Sequence, residues 1–133
     1  MLFDFDLIIP SGTLKDDPAE QLVTLTRGKV SRIGVFFPPG PATLVHCVVR
    51  HNLHQLTPAN YDGDLNYDDI TVYTELSYDL IDPPYELRLL GWSPTAAYDH
   101  VITFSFHLEP IMGDNWDDFN RLLFELNDNR QGR

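Results

Sequence analysis

The stretch Tyr98–Leu108 constrains this chain more than any other. Tyr98, His100, Ile102, Phe104, Phe106 and Leu108 alternate with Asp99, Val101, Thr103, Ser105 and His107. Side chains that change face at every residue belong to a strand, because a helical period would mix the two sets. A strand with one face of Ile, Phe and Leu needs neighbouring strands and a second layer to bury it. The same period recurs along the chain and predicts strands over 2–9, 21–27, 29–37, 42–51, 53–57, 70–78, 85–92 and 98–108. In the third of these, Ile33, Val35 and Phe37 are expected to share a face with Ser31. Pro38-Pro39-Gly40-Pro41 stops that run, since prolines bring no amide proton to a ladder. Leu44-Val45-His46-Cys47-Val48-Val49 is almost continuously apolar, as in a mid-sheet strand buried on both faces. Short strands punctuated by turn residues predict an all-β fold. The form expected is an antiparallel β-sandwich, immunoglobulin/fibronectin-like or a small jelly roll, with an N-terminal extra strand and a C-terminal α-helix.

A sandwich of about 100 residues is complete within 20–109, leaving 1–19 as an N-terminal strand or arm and 110–133 as a helix and tail. After Pro110 the period changes. Asp114 is placed to cap a helix over 115–127, with Asp117 at its third position. Trp116, Phe119, Leu123 and Leu126 follow helical spacing. Apolar residues outside a finished core either cap an open sheet or dock on another subunit. Phe3, Phe5 and Leu7, with Trp116, Phe119, Leu123 and Leu126, are therefore the candidate interface residues.

Charge narrows the partners. The 133 residues hold 9 Lys and Arg against 20 Asp and Glu, a formal charge of −11. Residues 1–60 are neutral, with five acids and five bases, so the whole excess lies in 61–133. Phosphate recognition needs clustered Lys and Arg, so nucleic acid is not an expected partner. An anionic membrane surface is disfavoured for the same reason, and no apolar run reaches the ~18 residues of a membrane span. The first residues carry acids where a secretory leader carries bases, so no leader is expected. A single cysteine, Cys47, leaves no internal disulfide.

Candidate chemistry is sparse. The run Asn60–Asp69 places oxygen donors around Gly63, as a calcium loop does, with Asn60, Asp62, Asp64 and Asp69 as candidate ligands. Aligned on that glycine, however, the first ligand position falls on Pro58 and no closing Glu follows. Asp-Gly turns are also ordinary chemistry between strands. No cofactor is expected, calcium in this loop being the exception weighed. The spacing His51-x-x-His54 does not put both rings on one strand face, and scattered histidines fall short of the converging ligands zinc requires. Cys47 and His46 point to opposite sides of their strand, so they are no dyad. With no nucleophile elbow, phosphate loop or dinucleotide fingerprint either, the chain is not expected to be an enzyme. Trp92, Tyr73 and Tyr98 sit at strand ends or on mixed faces, as aromatics of a carbohydrate-binding sandwich would.

Several runs carry a resemblance across residues 20–108: Val23-Thr24-Leu25-Thr26-Arg27-Gly28-Lys29-Val30, Phe36-Phe37-Pro38-Pro39-Gly40-Pro41, Leu44-Val45-His46, His54-Gln55-Leu56 and Pro83-Pro84-Tyr85-Glu86-Leu87. Together they resemble small all-β proteins of phage-like and metagenomic gene sets, some of them accessory or decoration components of virus particles. The resemblance implies a structural role and a place in a virion, and carries over no functional residue. The expectation is a non-enzymatic assembly protein acting through contacts with its own copies or other particle components. The alternative is a carbohydrate-binding β-sandwich module, with or without calcium in the 60–69 loop.

Overall fold

The structure is a computed structural model that describes residues 1–111. Eight strands follow in order: β1 (Leu2–Ile9), β2 (Ala19–Thr24), β3 (Gly28–Phe37), β4 (His46–His51), β5 (His54–Thr57), β6 (Ile70–Leu80), β7 (Glu86–Trp92) and β8 (His100–Glu109). They form two four-stranded sheets, β1-β8-β3-β6 and β2-β7-β4-β5. Every pairing is antiparallel. The helix expected over 115–127, with Trp116, Phe119, Leu123 and Leu126, lies outside the described residues.

Both sheets contribute to a single core. Ile33, Val35 and Phe37 of β3 and Ile102, Phe104 and Phe106 of β8 are fully buried from the first sheet. Leu87 and Leu89 of β7 with Cys47 and Val49 of β4 meet them from the second. Burying each such Val, Leu, Ile or Phe side chain stabilises the fold by roughly 1.5–3 kcal/mol. Gly91 lets the two layers approach closely: a Cβ there would lie 2.3 Å from Cδ1 of Ile9.

Three details depart from the reading of alternation alone. First, β1 pairs with β8 along its whole length, from Leu2↔His107 to Ile9↔His100. Leu7 and Ile9 are core residues, and Phe3 and Phe5 pack half-buried against the same core. The N-terminal run is thus an edge strand of the first sheet rather than an addition beside a finished sandwich. Second, β3 carries a bulge between Val30 and Arg32. The extra residue resets the alternation, so Val30 and Ile33 both point inward and Ser31 does not join them. The Ser31 hydroxyl donates instead to the His107 carbonyl at 3.3 Å. Third, β4 begins at His46, because Ala42 and Thr43 adopt positive φ of 50° and 63° in a turn. One carboxylate oxygen of Asp68 accepts from the Gly40 and Ala42 amides, at 3.0 and 2.8 Å, and fixes that turn.

Candidate functional site

The outer face of the second sheet gathers His46, Asp64, Asn66, Lys15 and Trp92. Pairing of His46 with Trp92 and of Val48 with Leu90 aligns these residues on the face opposite the core. Yet Val48, Leu90 and Trp92 are 1%, 3% and 7% exposed and form a small apolar cluster of their own. Two loops reach over them. Loop 10–18 is pinned by Gly12 N–H to the Ser93 carbonyl at 3.0 Å and by Ser93 N–H to the Thr13 carbonyl at 2.9 Å. Loop 58–69 is pinned by Gln55, whose side-chain amide donates to the carbonyls of Pro58, Asn60 and Gly63 at 2.8, 2.9 and 3.3 Å. The Arg50 guanidinium lies 4.4 Å from the Tyr61 ring centre and adds to the cover.

Trp92 is enclosed on this face. The His46 ring stacks on it at 5.8 Å and 6°, and the Lys15 ammonium stands 5.5 Å from its centre. His46 Nδ1 pairs with Asp64 Oδ1 at 2.8 Å, and the Asn66 amide donates to the same oxygen at 2.9 Å. A sugar platform needs an open aromatic face, and Trp92 has none to offer. Tyr73 and Tyr98 are exposed but are not brought together. Tyr73 is level with Gly34 and Ser105 in the first sheet, whereas Tyr98 lies seven residues before Ser105, in a bend ahead of β8. Tyr73 has a structural task as well. Its ring lies over Gly34, where a Cβ would come within 3.0 Å of it, and the Arg32 guanidinium sits 5.2 Å from its centre.

The candidate calcium ligands are put to separate uses. Asp64 serves His46, and the Asn60 amide donates to Asp62 at 3.4 Å. Asp69 sits at a positive φ of 53° where the loop enters β6. Among the described residues no group of three or more His, Cys, Asp or Glu side chains converges as a metal site would. Cys47 is fully buried. Burial, and secondarily the Asp64 charge, push its thiol far above the usual range, so it has no accessible thiolate to act with.

A second cluster joins the sheets at the other end of β4. His51 Nδ1 pairs with the Tyr78 hydroxyl at 2.5 Å, and the His54 ring stacks on Tyr78 at 5.4 Å and 13°. Burial, then the nearby His54, hold the His51 pKa below the ordinary imidazole value, with Asp82 opposing. Burial also raises the Tyr78 pKa. Both shifts favour the neutral pair in which Tyr78 donates to His51. Beside it opens a cleft of about 320 Å³ lined by Leu22, His51, Asn52, Asp82, Glu86 and Arg88, among others. Arg88 is already engaged there, donating to Glu20 at 2.7 Å.

The outer face of the first sheet is different. Ile8 and Val101 are directly paired there and are 63% and 44% exposed. On the same face Phe36 and Tyr73 are 41% and 58% exposed. The hydroxyl residues Thr71, Thr103 and Ser105 lie between them, with Asp6 accepting from Thr103 at 2.7 Å. Of the expected interface residues, Leu7 is withdrawn into the core and Phe3 and Phe5 are half-buried against it. The exposed apolar residues Ile8, Phe36 and Val101 were not singled out by sequence, although a signal existed: each breaks the apolar/polar alternation on the outward side of its strand. No protein-family model matches the chain, and no curated protein sequence matches it.

Proposed function

We propose that this chain is a non-enzymatic jelly-roll sandwich that works through protein–protein contact, as a subunit of a larger assembly. The order β1-β8-β3-β6 against β2-β7-β4-β5 is what an eight-stranded jelly roll produces by nesting two Greek keys. Capsid and lectin domains both use that architecture, so the fold by itself does not choose between them. The observation that carries the assembly reading is the outer face of the first sheet, open among the described residues, where Ile8, Val101, Phe36 and Tyr73 stand among hydroxyl residues and the Asp6 carboxylate. Exposed apolar side chains interleaved with hydroxyl groups suit a contact with a neighbouring subunit. A glycan-binding role draws less support, because Trp92 is only 7% exposed, with the His46 ring stacked on it and the Lys15 ammonium 5.5 Å from its centre.

The test is the assembly state by light scattering, alone and with the products of neighbouring genes. Phe36→Asp and Ile8→Asp are expected to dissolve the assembly while leaving the melting transition in place. A chain that stays monomeric with every candidate partner would refute the proposal, as would an assembly indifferent to both substitutions.

A further inference from the structure

We infer that the free edge of β6 is a docking strand for an extended, basic segment of a partner protein. The inference rests on the reading that the chain works by protein contact, and it concerns a surface other than the outer sheet face. β6 is last in its sheet and pairs with β3 alone. Among the described residues, no backbone group outside β3 bonds to residues 70–80. The amides and carbonyls directed away from β3 therefore form a template for one more strand.

The other edges are guarded in ways β6 is not. β5 has only four residues, and Leu65 continues its track by exchanging two 2.9 Å backbone bonds with Cys47. β2 has six residues. β1 places carboxylates at alternate positions, Asp4 and Asp6. β6 runs for eleven residues, Ile-Thr-Val-Tyr-Thr-Glu-Leu-Ser-Tyr-Asp-Leu, without proline, lysine or arginine. Its central carboxylate, Glu75, is held by Arg32 of β3 at 2.6 Å. Thr, Val, Ile and Tyr give the strand a high preference for extended pairing.

Charge selects the occupant. Exposed Asp69 stands immediately before β6, Asp79 lies near its end, and Asp82 follows just after, whereas Asp68 is turned to the Gly40 and Ala42 amides. A second copy laid antiparallel in full overlap would set one molecule's Asp69 near the other's Asp79 and Asp82, at both ends of the pairing. Like charges placed opposite one another destabilise a strand pair. A segment with β-branched residues in its centre and Lys or Arg at both ends meets those carboxylates favourably instead.

The experiment uses the full chain and fluorescence anisotropy at low ionic strength, with three labelled peptides. The first is KKTVTVTKK, the second is EETVTVTEE, and the third is the basic peptide N-methylated at alternate residues. The basic peptide is expected to bind, with the acidic and N-methylated peptides each weaker by roughly tenfold or more. The double substitution D79N/D82N is expected to weaken the basic peptide by about threefold. Failure of the basic peptide to bind would overturn the inference. So would equal binding of the N-methylated form, which would mean charge attraction without strand addition, or self-association through β6 in the free chain. Peptide binding by a chain that never assembles would sink the outer-face proposal alone. An assembly sensitive to Phe36→Asp, with no peptide binding, would sink the edge inference alone.

Discussion

The two sheets share a core and differ on their outer sides. On the second sheet, Val48, Leu90 and Trp92 turn away from the core and are still buried, because loops 10–18 and 58–69 fold over them. On the first, Ile8, Val101 and Phe36 occupy equivalent outward positions and remain open among the described residues. The contrast shows that an outward apolar side chain carries no fixed meaning in a strand. Its role depends on whether a loop of the same chain reaches it. Where a loop does, the residue adds a thin third layer; where none does, it is available to another molecule.

Substitutions on the two faces should therefore separate stability from association. The largest expected effect is Leu90→Ala under the loops, which should cost about 2–4 kcal/mol in urea unfolding, as for other core truncations. A cost below about 0.5 kcal/mol, the level of an ordinary surface change, would erase the distinction between the faces. Gly91→Ala tests the shared core. The added methyl meets the fully buried Ile9 side chain, and overpacking should cost roughly 1–3 kcal/mol. Asp64→Asn acts on the cover itself by weakening its pairing with His46, with an expected loss of about 1 kcal/mol. In a Trp116→Phe background, Trp92 emission should shift to the red as the loop loosens; an unchanged spectrum would show that Gln55 and the Leu65–Cys47 backbone pair hold it without Asp64.

A smaller effect concerns the join between the sheets. His51 has a folded pKa below its unfolded one, so near the ordinary imidazole value the unfolded chain binds more protons. Stability then rises with pH through that window, and is lost as pH falls through the unfolded pKa toward the folded one. Unfolding measured between about pH 7.5 and about pH 5.5 should show this slope, and His51→Gln should flatten it. The smallest expected effect is Phe36→Ala on the open face, within about 0.5 kcal/mol of the parent, although any assembly should weaken. A large loss of stability there would mean that the chain itself covers the face.

Much of the framework was legible in the sequence because alternation is local. The sets Ile102-Phe104-Phe106-Leu108 and Leu87-Leu89 reveal their inward side without knowledge of their neighbours. Strand order is not local, and no period in the chain announces that β8 sits between β1 and β3. The bulge at Ser31 escaped for a related reason: one extra residue leaves the composition unchanged and shifts only the phase. Trp92 illustrates the limit for sites. Its position on a mixed face was readable, whereas its enclosure depends on His46 and Lys15, which the chain brings from 46 and 77 residues away. The carboxylates of 60–69 likewise looked like one set, but Asp64 and Asp68 are tied to different parts of the fold.

Gln55 gives the acidic loop an unusual independence. Its amide is 4% exposed; the nitrogen bonds to three loop carbonyls and the oxygen accepts from the Arg50 guanidinium at 3.2 Å, so a principal fastening of 58–63 uses none of the loop's own carboxylates. Protonation of the loop's carboxylates changes its electric field without removing an acceptor or donor of that fastening. The surface potential on this side of the molecule can therefore vary with its surroundings while residues 58–63 keep their attachment to Gln55.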